Sequence, residues 1–427
     1  MQTTTIKKEQ KTGTTIAAAS IGNALEWYDF SVFAFFAAYI GHGFFIDGDD
    51  TSALIKTFLV FAVGFIARPL GAIFLGLYGD RAGRKAALTL TIALMAIGTF
   101  IIAIAPPLAV IGVGAPILLL VGRVLQGFSA GGEIGGATAF LVESAPQDKK
   151  ARYASWLQAS MGLSNIIAAL VGVTVTSLFS ESEIQQWAWR IPFIIGLLII
   201  PVGFYIRKNL DETEDFQVEQ QKNKAHVPFI TILREYPKHL ILGFMFSILW
   251  TVCVYTLIIY MPTYYASPVI GLGFTKNEAF TASFIGNIFM VIICLVSGQL
   301  SDKLGVTKVL RFGTILLAVG SYPLLLWLHS EPVFSHLIIV HILFCVMVSI
   351  FAGTAPVALA MIYPVSIRST GMSVSYNAAA IFFAGFTPAL LTWATKEIHV
   401  LSPSLYLAFA SVVALIAMQF MFKLNNK

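Results

Sequence analysis

Twelve long apolar runs, at about 16–44, 53–78, 86–106, 115–143, 151–179, 189–207, 238–265, 277–300, 307–328, 334–362, 367–395 and 403–422, are separated by short polar breaks. A hydrocarbon layer about 30 Å thick is crossed by a helix of roughly 20 such residues. Inside lipid the backbone N–H and C=O groups have no water to bond, so each run must satisfy its own backbone as a helix. Many breaks carry residues that end helices, among them Pro106-Pro107, Ala145-Pro146, Tyr363-Pro364 and Ser402-Pro403. Of the 427 residues 57% are hydrophobic and 11% charged, where a soluble domain carries roughly 25% charge. The expectation is an all-α membrane protein with twelve transmembrane helices and no sizeable soluble domain.

An even number of crossings puts both termini on one side of the membrane. Nearly all lysines and arginines fall in the terminal segments and the even-numbered loops, while the opposite loops hold only Lys56, Arg190, Lys276 and Lys396. Positive residues stay inside, so both termini are expected in the cytoplasm and the membrane is expected to be a bacterial inner membrane. The run beginning near Thr15 has no small-residue cleavage site and reads as the first span. The net charge of +5 sits in short loops without interleaved aromatics, which argues against nucleic acid as a partner. Cys253, Cys294 and Cys345 stand singly in apolar runs, with no metal-binding spacing. No Gly-x-x-x-x-Gly-Lys-(Ser/Thr), His-Glu-x-x-His or Gly-x-Ser-x-Gly occurs, so the usual signatures of ATP-driven transport, metalloprotease and hydrolase are missing. The expectation is a protein that is no enzyme, has no cofactor or metal, and works as a monomer in the bilayer.

The longest polar interval, 208–237, mixes acids and bases and separates six runs from six. It reads as a solvated linker between an N-terminal half, 1–207, and a C-terminal half, 238–427. The halves echo each other. Gly76-Leu77-Tyr78-Gly79-Asp80-Arg81-Ala82-Gly83-Arg84-Lys85 follows the second run, and Gly298-Gln299-Leu300-Ser301-Asp302-Lys303-Leu304-Gly305 follows the eighth. Both contain Gly-x-x-x-Asp-(Arg/Lys)-x-Gly. A parallel repeat of six-helix units places a binding site near the bilayer midplane between them.

The segment Gly76 to Lys85 resembles the signature of the major facilitator superfamily. Gly22 to Phe30 (GNALEWYDF), Arg68-Pro69-Leu70-Gly71, Arg123 to Glu133 (RVLQGFSAGGE) and Trp189-Arg190-Ile191-Pro192-Phe193 resemble its metabolite:proton symporters more narrowly. That family includes carriers of citrate, tricarballylate, α-ketoglutarate, shikimate and proline or betaine. The resemblance implies the major facilitator fold and proton-coupled uptake of a small organic acid, a di- or tricarboxylate before a zwitterion such as proline or betaine. A non-transporting sensor or channel is the reading from another class. In the second copy of the loop signature Val306 and Thr307 replace arginines of the fuller pattern, which weakens the expectation of a symmetric second gate.

Ionisable residues inside hydrocarbon are costly and therefore functional candidates. Glu26, Asp29, Arg68, Arg123 and Glu133 all fall in the first four spans. Glu26 and Asp29 share one helical face, and repulsion between two ionised carboxylates there favours holding a proton on one of them. Glu26, Asp29 and Glu133 are thus the candidates for proton coupling. The competing reading pairs them permanently with Arg68 or Arg123, and it suits Glu26 better than Asp29. Arg123 offers a planar fork for a substrate carboxylate, with Gln126 on a neighbouring part of its helix. Gln158, Asn165, Tyr260, Asn287, Tyr376 and Asn377 are the neutral candidates for substrate contact, and His341 is the ionisable group within the second-half spans. Arg68 precedes Pro69 and is expected to serve the carbonyls that a proline kink frees.

The small-residue run from Gly127 to Ala137 is expected to pack span 4 closely on a neighbour. For the loop signature, the resemblance implies a gate of Gly76, Asp80, Arg84, Glu143 and Arg368. Asp80 would face the start of span 11 near Arg368, and Arg84 would face Glu143.

Overall fold

The computed structural model describes residues 12–45, 49–82, 84–131, 133–208 and 229–424. Most of the expected 208–237 linker therefore lies outside the described residues, as do the side chains of Asp80, Arg84 and Glu133 and the surroundings of Gly76.

Among the described residues the chain is helical throughout, and the helices follow the apolar runs. Span 1 is Thr12–Phe35 continued by Ala37–Phe44, span 2 is Asp50–Ala82, and span 3 is Arg84–Ile104. Span 4 joins Gly114–Ala130 to Glu133–Ser144; spans 5 and 6 are Lys150–Leu178 and Ile191–Lys208. In the second half, span 7 is Pro237–Val254, Tyr255–Tyr260 and Met261–Ala266, span 8 is Lys276–Leu304, and span 9 is Val306–Ser330. Span 10 joins Phe334–Ala352 to Ala355–Ile362, span 11 covers Arg368–Ala380, Ile381–Gly385 and Thr387–Glu397, and span 12 is Ser402–Leu424. Nine of these helices are long and apolar enough to cross a membrane among the described residues, and Thr89–Ile104 and Ala188–Leu198 add shorter apolar helices. Large hydrophobics such as Phe74, Leu198, Phe312 and Val319 stand exposed around the outside, as side chains that face lipid do.

The same packing occurs twice. In the first half span 4 packs on spans 2 and 3, span 1 on spans 5 and 6, and span 3 on span 6. In the second half span 10 packs on spans 8 and 9, span 7 on spans 11 and 12, and span 9 on span 12. Between halves, span 5 lies along span 8 and span 2 against span 11, again an exchangeable pair of contacts. Two six-helix units thus meet along equivalent seams.

Glycines decide how closely spans 2 and 4 approach. A Cβ on Gly127 would sit 1.8 Å from the Gly64 carbonyl oxygen, and one on Gly71 would sit 1.8 Å from that of Phe128. Backbone contact at this distance places Arg68 of span 2 and Arg123 of span 4 against the same phenylalanine, Phe30, with centroid distances of 4.7 and 4.5 Å. In spans 7 and 11 the segments Tyr255–Tyr260 and Ile381–Gly385 are wound as π-helix. Such wider turns are rare and tend to mark functional segments. Both abut the first half: Tyr255 packs 5.3 Å from Phe65, and Gly385 lies against the same ring.

Candidate functional site

Span 1 supplies the centre of the site because its polar residues leave the helix in different directions. Asn23 donates to the Leu157 carbonyl and to Ser160 of span 5, at 2.9 and 2.8 Å. Trp27 Nε1 donates to Asn23 Oδ1 at 3.1 Å, and Tyr28 donates its hydroxyl hydrogen to the Pro192 carbonyl at the start of span 6, at 2.8 Å. Segments far apart in sequence, 22–30 and 189–193, therefore lock onto each other. This leaves Glu26 and Asp29 fully buried and directed at spans 2 to 4.

Arg68 Nη2 lies 2.8 Å from Glu26 Oε1, and both side chains are almost wholly buried, at 1% and 3% exposure. The guanidinium lies 4.7 Å from the centroid of Phe30 and 4.3 Å from that of Phe65. Removing one member of a buried pair strands the other charge and costs about 3–5 kcal/mol. Arg68 thus meets a carboxylate and two rings; among the described residues its side chain makes none of the expected bonds to carbonyls near Pro69, because Nη2 is taken by Glu26. Arg68 Nε and Nη1 have no hydrogen-bond acceptor among the described residues. Tyr255 of span 7 and Tyr376 of span 11 are within electrostatic reach of both Arg68 and Glu26.

Asp29 faces a separate network. Thr99 of span 3 donates to Asp29 Oδ2 at 2.5 Å, and Gln126 Nε2 approaches the same oxygen at 3.4 Å. Gln126 Nε2 also donates to Thr99 Oγ1 at 2.9 Å, while Gln126 Oε1 accepts from Arg123 Nη1 at 2.8 Å. Arg123 reaches Asp29 through Gln126. Its guanidinium is enclosed by Phe30, Phe33 and Phe61, with centroids 4.4 to 4.7 Å away. A desolvated cation over a ring face gains about 2 kcal/mol or more, so this cage holds the arginine in place. Arg123 Nε and Nη2 have no acceptor among the described residues.

Of the neutral candidates, Gln126 belongs to this network. Asn165 accepts from Ser31 through Oδ1, while its Nδ2 and Gln158 Nε2 are buried without a partner among the described residues. In the second half, Tyr376 packs on Trp250 at 5.0 Å, the Tyr260 hydroxyl lies 3.2 Å from Thr395 Oγ1, and Asn287 Nδ2 donates to the Ser283 carbonyl at 2.8 Å. Asn377 crosses between halves, donating to the Gly131 carbonyl of span 4 at 2.8 Å. His341 Nδ1 lies 3.2 Å from the Tyr265 hydroxyl. Tyr255, a polar residue that stands out within the second-half spans, completes the site with Thr99 and the phenylalanine cage, and no spacing in the sequence announces the last two.

Contacts between halves occur at both ends of the molecule. At the end bearing the loop signature, Arg368 Nη1 lies 2.9 Å from Glu143 Oε1. The side chains of the expected partners Asp80 and Arg84 lie outside the described residues. The second copy of the signature does bridge the halves, against the weakness expected from Val306 and Thr307. Asp302 accepts from the backbone N–H groups of Ala151 and Arg152, each at 2.9 Å, at the start of span 5. A carboxylate suits the positive end of the helix dipole, and this contact needs no arginines. At the far end, Lys276 Nζ is 2.8 Å from Glu181 Oε1 and 3.5 Å from the Tyr39 ring centroid, and Lys396 Nζ is 2.8 Å from Asp49 Oδ2. Asp49 lies in the short connection before span 2, and its carboxyl is held below the usual range by Lys396 first and by the Thr51 N–H second.

The model for the family described as Major Facilitator Superfamily matches residues 19–330. The chain is 35% identical over 410 residues to a citrate-proton symporter of Klebsiella pneumoniae, covering 96% of this chain and 91% of that protein. It is 36% identical over 426 residues to a putative proline/betaine transporter of Staphylococcus aureus strain COL, covering 97% and 88%. Among solved structures, the proton:xylose symporter XylE bound to 6-bromo-6-deoxy-D-glucose superposes with a TM-score of 0.76 at 15% identity, over 97% of this chain and 96% of that one. The inward-open xylose transporter XylE from E. coli gives 0.72 at 16%, over 97% and 96%. Matched along nearly its whole length by a citrate-proton symporter and a putative proline/betaine transporter, and by facilitator structures in fold, the chain belongs to the major facilitator superfamily and, within it, to the metabolite:proton symporters.

Proposed function

We propose that this protein is a proton-coupled symporter that imports a small organic acid, a di- or tricarboxylate such as citrate, tricarballylate or α-ketoglutarate. The observation carrying the anionic substrate is the surplus of buried donors: Arg68 Nε and Nη1 and Arg123 Nε and Nη2 have no acceptor among the described residues. Guanidinium N–H groups left without partners in a dry interior are costly, and a carboxylate offers planar acceptors that fit them. Similarity to a citrate-proton symporter over 96% of the chain supports the same reading. Glu26, Asp29 and Glu133 supply carboxylates able to take up the coupled proton. The energy comes from the proton gradient, with no chemical transformation, cofactor or metal, as the two halves rock about the central site.

A second reading is a zwitterion such as proline or betaine. The aromatic walls favour it, since Trp27 and Tyr255 meet at 5.5 Å and Trp250 and Tyr376 at 5.0 Å, and such rings can receive a quaternary ammonium. The carrier sits in a bacterial inner membrane with both termini in the cytoplasm, a reading supported by the distribution of lysine and arginine. The loop signature then forms the inner gate with Glu143 and Arg368.

Uptake of labelled citrate into energised vesicles, competed by a panel of carboxylates and betaines, tests the proposal. Accumulation that a protonophore abolishes and tricarboxylates inhibit is expected. Competition by betaine alone would move the assignment to the zwitterion, and accumulation surviving without any ion gradient would rule out symport.

A further inference from the structure

Spans 5 and 8 pack along each other at the seam between the halves, and three glycines set their antiparallel register. A Cβ on Gly172 would meet the Phe280 ring at 2.9 Å, one on Gly162 would meet Val291 at 2.9 Å, and one on Gly298 would meet Ser155 at 2.5 Å. Seven residues before Gly172 stands Asn165, and seven after Phe280 stands Asn287. Seven residues make about two helical turns, so the two asparagines share one depth on facing stripes. Both are wholly buried. Their other contacts orient the amides. Asn287 Nδ2 donates to the Ser283 carbonyl at 2.8 Å, an oxygen that can only accept, so Oδ1 is the end left over. Ser31 of span 1 donates to Asn165 Oδ1, which leaves Nδ2. Asn165 Nδ2 and Asn287 Oδ1 each lack a partner among the described residues, and they do not bond to each other. Ser31 directly follows Phe30, the ring on which both guanidinium groups rest, so this part of the seam lies level with the buried arginines.

We propose that Asn165 and Asn287 form a subsite for a hydroxyl group of the substrate, so that the transported acid is a hydroxycarboxylic acid. The inference deepens the organic-acid symport reading and rests on it. A hydroxyl both accepts and donates: its oxygen takes a hydrogen of Asn165 Nδ2, and its own hydrogen goes to Asn287 Oδ1. A carboxylate only accepts and would press negative oxygen against Asn287 Oδ1. An ammonium only donates and would meet the hydrogens of Asn165 Nδ2. A methylene would leave both amide ends unpaired in a buried seam, where each is costly. One asparagine belongs to each half, so a hydroxyl held by both ties the halves together at the depth where carboxylates meet the arginines. Citrate carries such a hydroxyl, whereas tricarballylate is the same tricarboxylate without it and α-ketoglutarate bears a keto oxygen that only accepts.

The test uses the purified full-length protein and two matched pairs of acids that differ by one hydroxyl: citrate with tricarballylate, and malate with succinate. Binding of each is measured by titration calorimetry under one set of conditions. In wild type the hydroxy acid of a pair should bind at least about tenfold more tightly than its partner, because a site built to bond a hydroxyl is left with unpaired buried groups when the hydroxyl is missing. Asn165→Ala and Asn287→Ala should each weaken the hydroxy acid about tenfold and alter its deoxy partner less than about twofold, so that the preference disappears. The double variant should lose little more than either single one, since both amides serve one hydroxyl. Asparagines that serve only the packing of spans 5 and 8 would weaken both acids of a pair together and leave their ratio in place, which would overturn the subsite. Equal binding of the two acids by wild type would overturn it as well, that being the result for a seam that takes only a water molecule. This comparison needs no variant and decides the question even where the alanine forms fail to fold. Failure of wild type to bind any of the four acids would instead overturn the organic-acid reading itself.

Discussion

Asp29 and Glu26 are three residues apart on one helix and meet different chemistry. Glu26 faces a full positive charge at 2.8 Å, while Asp29 faces the hydroxyl of Thr99 and the amide of Gln126. Both donors to Asp29 are neutral and would donate equally well to an asparagine oxygen. Asp29→Asn is therefore expected to fold, with a melting temperature within a few degrees of wild type, and to keep pH-dependent substrate binding, though with slower transport. Loss of gradient-driven accumulation with exchange intact would make Asp29 the coupling group. The candidacy of both carboxylates was legible from their placement in an apolar run. Which arginine each would meet was not, because the direction of a side chain on a helix is settled only by what packs against it.

Among the elements, spans 2 and 4 form the most exacting contact, since it rests on the absence of side chains. Gly127→Ala would place a methyl carbon 1.8 Å from the Gly64 carbonyl oxygen, and backbone cannot yield as a flexible side chain does. The spans would have to separate by more than 1 Å, and overpacking of this kind costs about 1–3 kcal/mol or more. The expected result is a lower melting temperature and impaired transport, since the same contact brings Arg68 and Arg123 together over Phe30. Gly136→Ala is the control: nothing lies within 4 Å of its added Cβ, and its stability should match wild type. The run of small residues in span 4 announced close packing but not the partner. The π-helical segments of spans 7 and 11 had no sequence signal, because their hydrophobic residues suit an ordinary α-helix as well.

At the scale of the whole molecule, the far-end ion pairs connect equivalent places with opposite polarity. Asp49 precedes span 2 and meets Lys396 at the end of span 11; Lys276 begins span 8 and meets Glu181 just after span 5. Exposed pairs are weak because solvent screens them, yet they act on an equilibrium between conformations that a small difference can shift. Asp49 has its carboxyl held below the usual range in this closed arrangement, so the contact is fully present at neutral pH and is lost as pH falls through that lowered value. Lys396→Ala should thus raise the fraction open at the far end and remove the acid-sensitive part of that opening. Distances between spin labels on the far ends of spans 2 and 11, followed against pH, would show it. The same distances in wild type and variant would mean that the pair has no part in closure.

The sequence by itself determined the membrane class, the helical crossings and the two-unit arrangement. A hydrocarbon solvent allows apolar segments of this length few alternatives, and the repeated loop signature marks the duplication. It also singled out Glu26, Asp29, Arg68 and Arg123, because ionisable groups in such runs stand out by composition alone. Only the tertiary structure decided their partnerships: Arg68 with Glu26 at the junction of the halves, and Arg123 inside a cage of phenylalanines, its link to Asp29 running through Gln126. It likewise recruited Thr99 and Tyr255, and it made the few basic residues of the far end, Lys276 and Lys396, into fasteners between halves. Hydropathy depends on neighbours along the chain, whereas an ion pair or a ring over a guanidinium depends on helices far apart in sequence arriving at the same depth and rotation.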